Sequence, residues 1–528
     1  MLRRFTSVAV EPPVVIAFGA LVVGSVDILS AITPALTDRF DLFQAMLPMA
    51  AGDLAGSLTF ASGVALVWLS AGLARRKRRA WMAALAVVTF AALAHLAAGF
   101  DVEEAAGSIA LLVALLRLRH WFDVPGDPTS LRPLVAGLAV ALAAWAVVGS
   151  AADEHLNRIT DLGFELVLAA GAFWALHQWL RSHREPCGQT DADHARAGAL
   201  VAAHGEDSLS FFALRRDRRY MFSRAGNAFL AYRVVGGCAL VAGDPIGAAD
   251  EVPGLVDDFR AVCRERGWRF VVLHASDRWL ELYRARGLRA FRSGDEALLD
   301  PTRFTLEGRG IRKVRQSVSR LDRTGFEFRV AAPDELSQAE RADVEAVSRE
   351  WLAGAVDRGF SMAMDDLHAH PQTRFALATD GDGRVRGYLH LVPSSRGYSL
   401  SAMRRGRETP NGLMEFLIAR TTLWAAPAGV EEISLNFAAF ADVLRAGDAA
   451  PIHMRLARSV VLRFDRVFQL ERLFSFNRKF HPAWRTRYIC FERAIDVPVL
   501  SLATLRAERL IAPPSRRRPL RRPRVRAG

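Results

Sequence analysis

From residue 13 to residue 180 the chain alternates long apolar runs with short charged breaks, and no other feature limits its fold as strongly. Six runs, 14–36, 48–74, 80–100, 105–122, 133–152 and 161–180, approach the roughly 20 residues needed to cross a hydrocarbon core. No small-residue cleavage site separates the first run from the next, which argues against a cleaved signal peptide. Cations occupy alternate breaks: Arg3 and Arg4, the cluster at 75–79, then Arg117, Arg119 and Arg132, then Arg181 and Arg184. The others carry Asp38 and Asp41, then Asp101, Glu103 and Glu104, then Asp153 and Glu154. The positive-inside rule therefore predicts a multi-pass plasma-membrane protein with both ends cytoplasmic, everything after residue 184 included. Asp27, Asp53, His95 and Glu165 lie in or near these runs and read as charges paired in the bundle or snorkelling to an interface.

The chain has 528 residues and a formal charge of +13, which points to anionic partners. Four cysteines, Cys187, Cys238, Cys263 and Cys490, are widely spaced and suggest neither a zinc site nor a disulfide framework. Past a polar linker, 209–214, 228–235, 238–242 and 270–274 read as strands, and 252–266 and 277–286 as helices. The turn Gly243-Asp244-Pro245-Ile246-Gly247 closes the strand before the first of these helices. A similar series follows residue 323: strands at 326–330, 375–378, 386–392, 398–402 and 432–436, helices at 333–352 and 412–424. The reading is an all-α six-helix transmembrane domain (1–184) followed by two α/β units (185–308 and 326–500), the second carrying the functional site, with a basic connecting helix at 309–325 and a basic disordered tail at 501–528.

Along the connecting helix, Arg309, Arg312, Lys313, Arg320 and Arg323 share an arc of about 100°, while Ile311, Val314, Val318 and Leu321 gather opposite. No acid shares the cationic stripe, so we read it as a phosphate-binding face. Only three lysines survive among 69 basic residues, Lys77, Lys313 and Lys479. Where arginine is the default cation, a lysine can mark a need for a compact ammonium. Lys77, inside Arg-Arg-Lys-Arg-Arg, reads as interchangeable with its neighbours. The tail has seven arginines among prolines, at 516, 517, 518, 521, 522, 524 and 526; such a composition cannot bury a core and reads as attracted to anionic lipid or RNA.

Four ordered motifs are specific: Tyr398-Ser-Leu-Ser-Ala-Met-Arg-Arg405, Pro410-Asn-Gly-Leu-Met-Glu-Phe-Leu-Ile418, Val430-Glu-Glu-Ile-Ser-Leu-Asn-Phe-Ala438 and Phe476-Asn-Arg-Lys-Phe-His-Pro-Ala-Trp484. With them the chain resembles the lysylphosphatidylglycerol synthetase (multiple peptide resistance factor) family, in its actinobacterial branch, throughout the cytosolic region. The resemblance implies a tandem acyltransferase-like (GNAT-like) fold that moves an aminoacyl group, lysyl in the family, from charged tRNA to phosphatidylglycerol, an activity tied to antimicrobial peptide resistance. It implies no cofactor and no metal. Neither the flippase helices of some members nor the fused lysyl-tRNA synthetase domain of others is read here. Ser401 stands where the family has an aspartate, three residues before the motif arginine, Arg404. Lys479 matches the family's lysine, and Glu415 holds the acidic position on the intervening helix.

These residue types suit the chemistry. An aminoacyl ester is already activated, so its transfer to a glycerol hydroxyl needs positioning, movement of one proton and stabilisation of an oxyanion. Arg404 is expected to clamp a lipid phosphate and Lys479 to offer an ammonium to phosphate or oxyanion. Glu415 is expected to hold the donor's ammonium or orient a cation, with Ser401 counted among the catalytic residues and Asn436 among those that bind a phosphate of tRNA or lipid. His370, His390 and His481 lack metal-ligand spacing and read as structural. The alternatives are an acyltransferase with a different donor, for which the Gly-rich pyrophosphate loop of a coenzyme A enzyme is missing, and a non-enzymatic protein that binds or moves lipid.

Overall fold

A computed structural model of the chain describes residues 12–32, 49–97, 102–126, 188–354, 359–439 and 470–511, with Trp174, 178–180, Ser182 and Glu185. The runs at 133–152 and most of 161–180, Cys187, Glu165 and the arginines from 516 onward lie outside the described residues. The chain divides into two compact units, Met1–Glu185 with Ala261–Trp268, and Pro186–Arg260 with Arg269–Gly528.

Among the described residues the first unit contains four long helices, α1 (Pro12–Ile32), α2 (Met49–Leu73), α3 (Arg78–Ala97) and α4 (Val102–Arg117), over the first four predicted runs. Their inward positions carry Ile16, Ala20, Leu66, Leu69, Ala84, Val88, Leu111 and Leu115. Glycines set how closely α1 and α2 approach: a Cβ on Gly24 would lie 2.6 Å from the carbonyl oxygen of Gly63, and one on Gly63 equally close to that of Gly24. Small residues at a crossing are how helices pack closely without a hydrophobic driving force. Outward positions are apolar too, including Phe18, Leu29, Phe90 and Leu93. Among the described residues one helix, over Pro12–Ser30, is long and apolar enough to cross a membrane, with a mean hydropathy of 2.0; Thr59–Leu73 and Ala105–Arg117 are shorter apolar segments. The described residues of the first unit thus contain long helices over the first four of the six expected spans, and the runs expected to form the last two lie outside the described residues, apart from Trp174 and 178–180.

Lys77 departs from its expected role. It is buried and donates from Nζ to the carbonyl of Leu180 at 2.6 Å, while Arg76 Nε and Arg79 Nη1 cap the carbonyls of Trp121 and Trp179 at 3.0 and 2.9 Å. Burial, aided by Arg79, pulls the Lys77 ammonium down to about 8. The bulkier guanidinium would not replace it without moving its neighbours.

The second unit is built on a 12-stranded sheet. Its strands are β1 (Arg219–Phe222), β2 (Ala228–Val235), β3 (Cys238–Ala242), β4 (Ile246–Gly247), β5 (Arg269–Ala275), β6 (Arg289–Leu299), β7 (Glu327–Ala331), β8 (Arg374–Thr379), β9 (Val385–Ser394), β10 (Gly397–Arg405), β11 (Glu432–Ala439) and β12 (Ala483–Phe491). They run in the order β1-β2-β3-β5-β12-β6-β11-β10-β9-β8-β7, with β4 beside β2. Each half has an antiparallel run ending in a parallel pair, β3 with β5 and β10 with β11. This is the GNAT-like arrangement the resemblance implied. The halves interlock: β12, from the end of the chain, inserts between β5 and β6 of the first half, and β6 lies between β12 and β11 of the second.

The helices of the sequence reading form as α6 (Val252–Glu265), α7 (Leu280–Ala285), α8 (Arg312–Arg323), α9 (Gln338–Leu352) and α10 (Leu413–Ala425). Three helices were not expected: α5 (Asp191–His204), α11 (Leu470–Asn477) and α12 (Val497–Ala507). α5 begins inside the run read as a polar linker, where Thr190 caps it by accepting from Asp193 N. α12 runs into the tail read as disordered from residue 501, because Leu500, Ala503 and Ala507 bury. Two further local expectations fail. The 209–214 run is a 3-10 helix (Ser210–Leu214) buried on all sides, since a short apolar run carries no periodicity that separates strand from helix. The 333–352 helix is broken: a 3-10 turn (Pro333–Glu335) precedes Ser337, whose hydroxyl caps α9 in a reciprocal pair with Glu340.

Candidate functional site

The basic helix α8 anchors one part of the site. Val314, Val318 and Leu321 bury against Leu413, Phe416, Leu417 and Phe480, each contributing about 1.5–3 kcal/mol of apolar burial. That seats α8 on α10 and leaves Arg309, Arg312, Lys313, Arg320 and Arg323 exposed on its far side. At its start, Gly310 abuts His481, where a Cβ would sit 2.7 Å from the ring Nε2. Near its end, Arg320 donates to the carbonyl of Asn411, and Gly412, at φ 90°, lies so close to Ser317 that a Cβ would meet its hydroxyl at 2.5 Å. The Pro410-Asn-Gly motif is therefore a turn shaped to accept α8.

Lys479 lies in the 3-10 turn Arg478–Phe480, two residues from His481. Its Nζ is 2.7 Å from Glu415 Oε1 in the first turn of α10 and lies over the ring of Phe476. The Lys479 side chain is 39% exposed, so it is held in place and still reachable. Lys479, Glu415 and the start of the cationic stripe are thus brought together.

Arg404, Ser401 and Asn436 are placed differently. On β10, Met403 joins the α8–α10 core, whereas Arg404 pairs across the ladder with Tyr388, whose hydroxyl meets Ser348 of α9. Arg404 consequently lies on the α9 side of the sheet and is 7% exposed. Strands β10 and β11 are in register only from Gly397 to Ser399 and then separate, with β11 irregular after Ser434. Residues 360–364 fill the opening. Ser401 Oγ accepts from Met364 N at 3.0 Å, and Asn436 Nδ2, on a left-handed backbone (φ 71°), donates to the carbonyls of Met362 and Leu400 at 2.9 and 2.8 Å. Glu508 accepts from the backbone of Phe360 and Ser361, and Arg215 and Arg218 donate to the carbonyls of Ala363 and Phe360. Ser401 and Asn436 are fasteners of this strap.

A buried polar centre at the seam of the halves was missed in the sequence. Glu296 on β6 and Arg487 on β12 are both fully buried. Glu296 accepts from Arg487 Nη2 and Nε at 2.5 and 3.0 Å and from the hydroxyls of Ser208 and Ser434, each at 2.5 Å. Arg487 also donates to Asp207 at 2.8 Å and Ser208 at 2.7 Å. Burial alone would raise the Glu296 carboxyl; Arg487 and the hydroxyl donors outweigh it and hold it low. Nearby, burial and Asp207 push Asp244 up to about 6, although its carboxylate accepts from Ser276 N. His274, on a left-handed backbone, is driven down to about 3 by burial and by Arg487 and Arg218. The available signal was acids and arginines inside strand-like runs, Asp295-Glu296 before Ala-Leu-Leu and Arg485 and Arg487 alternating with aromatic residues.

Residues 198–491 match the family model described as "Phosphatidylglycerol lysyltransferase, C-terminal". The chain belongs to this family. A relative from Mycobacterium marinum, "Lysylphosphatidylglycerol biosynthesis bifunctional protein LysX", is 34% identical over 87% of this chain and 46% of its own; the chain therefore spans under half the length of that curated relative. A crystal structure of the C-terminal domain of a putative lysylphosphatidylglycerol synthetase from Agrobacterium fabrum is 26% identical, with a TM-score of 0.52 over 59% of this chain and 96% of that one. The L-PGS structure from Bacillus licheniformis is 25% identical, with a TM-score of 0.55 over 62% and 98%. The family match begins within α5 and ends with β12, so it takes in the strand exchange that unites the halves.

Proposed function

We propose that the chain is a membrane-bound aminoacyltransferase that moves an aminoacyl group, lysyl in the first instance, from charged tRNA to phosphatidylglycerol. The observation that carries this reading is the meeting of the cationic face of α8 with the Lys479–Glu415 pair, in a chain of the phosphatidylglycerol lysyltransferase family. The tRNA donor is polyanionic and each phosphatidylglycerol carries one phosphate anion, and the α8 stripe supplies charge of one sign over several phosphate spacings.

In the reaction, a glycerol hydroxyl oxygen of the lipid attacks the ester carbonyl of the donor. The new C–O bond forms as the bond to the terminal ribose breaks, and the hydroxyl proton ends on that ribose oxygen. Lys479, oriented by Glu415, is the group we assign to the oxyanion or to the adjoining phosphate. The stripe of Arg309, Arg312, Lys313, Arg320 and Arg323 holds donor phosphates. Arg404, buried on the α9 side, acts as a positioning residue for the strap side of β10, and Ser401 and Asn436 hold that strap. The six spans and the cytoplasmic placement of the second unit belong to the same proposal.

The test is reconstitution of the full chain with labelled lysyl-tRNA and phosphatidylglycerol vesicles. Labelled lipid that disappears in Lys479→Ala, with unfolding behaviour unchanged, supports the reading. Wild-type protein that binds both substrates but transfers nothing from any charged tRNA refutes it and leaves a lipid-binding protein.

A further inference from the structure

Among the described residues of the second unit, the large apolar side chains that face outward are concentrated near its C-terminal end. Ile495 is 80% exposed, Val497 40%, Leu502 39% and Ile511 38%; elsewhere in that unit Phe291 and Trp351 are the comparable cases. The helix α12, with sequence VPVLSLATLRA, explains the concentration. Its inward side buries Leu500, Ala503 and Ala507. Val497, Pro498 and Leu502 lie on the opposite arc with Ser501, and the first charge along the helix is Arg506. A helix apolar on both sides is ordinarily buried on both sides. The outward face of α12 therefore calls for an occupant.

The sequence around it says which. Arg493, Arg506 and Arg509 flank the patch, and seven arginines follow between residues 516 and 526. An apolar face in the plane of a surface joined to a polybasic segment is the pairing that binds anionic bilayers, because either signal alone gives only marginal, reversible attachment. RNA would use the arginines but has no use for Ile495, Val497 and Leu502.

We propose that the outward face of α12, with Ile495 and Ile511 at its ends and the exposed Arg506 and Arg509 beside it, docks the second unit onto an anionic phospholipid surface. The apolar side chains enter the headgroup boundary and the arginines meet lipid phosphates. This goes beyond the transferase reading and relies on it only for the presence of a membrane. The docking keeps the unit within reach of an acceptor that never leaves the bilayer.

The test uses the full chain with Cys187→Ser and Leu502→Cys, labelled with a polarity-sensitive fluorophore; Cys238, Cys263 and Cys490 are buried. Phosphatidylcholine nanodiscs are compared with nanodiscs containing phosphatidylglycerol. A blue shift confined to the anionic discs, weakened about tenfold or more on deletion of 513–528 and screened by salt, is the expected result. Equal emission in both disc types overturns the proposal. So does a blue shift in lipid-free detergent that grows with protein concentration, which assigns the face to a second copy, or one induced by tRNA alone. If the chain fails to enter the discs, the membrane reading fails, and co-sedimentation of the labelled chain with phosphatidylglycerol vesicles still decides the docking.

Discussion

Removing Glu296 should be the most damaging single change in the second unit. Glu296→Ala strips Arg487 of two charge-assisted bonds, at 2.5 and 3.0 Å, and leaves the hydroxyls of Ser208 and Ser434 without their acceptor, all in a fully buried site. Breaking a buried pair by removing one partner costs about 3–5 kcal/mol, because the other charge stays buried. Arg487 keeps its bond to Asp207, which is partly exposed, so the expected cost lies at the low end, about 3 kcal/mol. That corresponds to roughly 4 °C in melting temperature for a unit spanning Pro186–Arg260 and Arg269–Gly528. Arg485→Ala is the milder comparison: Arg485 is 31% exposed, pairs with Glu432 at 2.8 Å and reaches Glu296 only at 3.9 Å, and its expected cost is about 0–1 kcal/mol. Urea unfolding of the full chain in detergent, followed by tryptophan fluorescence, reads both variants; Trp484 lies on the same strand as Arg487. Replacing the pair together, Glu296→Leu with Arg487→Met, should cost less than the sum of the single changes. A Glu296→Ala cost below about 1 kcal/mol, or strict additivity in the cycle, would refute the view that this pair clamps the two halves.

Four further outcomes are expected. Lys479→Arg should retain less transfer than wild type and Lys479→Ala essentially none, with Glu415→Gln intermediate, measured as labelled lysyl lipid at equal protein stability. Reversing Arg312 and Lys313 to Glu should lower the salt slope of tRNA binding by about two, since each lost phosphate contact removes close to one unit. The buried His274, depressed to about 3 from an ordinary 6.5, contributes stability above pH 6.5 that is lost as the pH falls toward 3; Asp244, raised to about 6, contributes stability at low pH that is lost as the pH rises through 6. Between pH 4 and 6 the two effects oppose each other, so stability should rise more steeply with pH in Asp244→Asn and fall with rising pH in His274→Gln. Ser401→Asp keeps an acceptor for Met364 N and should preserve folding; loss of lysyl transfer in that variant would show that the family's aspartate has no counterpart role in this chain.

Much of the second unit is readable because its elements are locally encoded. Strands β2, β3, β5 and β8–β11 follow from β-branched and apolar runs, and α8 from a stripe whose two faces differ in charge and burial. The proximity of Lys479 and Glu415 was reachable only through motif resemblance, because 64 residues separate them. The separation of Arg404 from that pair was not readable at all. Which side of a sheet a residue takes depends on register, and β10 is irregular between Leu400 and Ala402, which shifts every later side chain by one face.

The sequence by itself determined the apolar and polar blocks, the charges between them, the basic helix and its packing face, and the motifs that identify the family. Tertiary structure decided how the two halves combine. Neither β6 nor β12 stands out in the sequence, since Arg292, Asp295, Glu296, Arg485 and Arg487 interrupt the apolar alternation that marks a strand. Those charges are tolerated because each strand carries the other's partner: Glu296 meets Arg487 only when β12 returns from the far end of the chain to lie between β5 and β6. A buried charge is costly alone and acceptable when paired, and pairing across 191 residues is a property of the fold that local sequence does not contain.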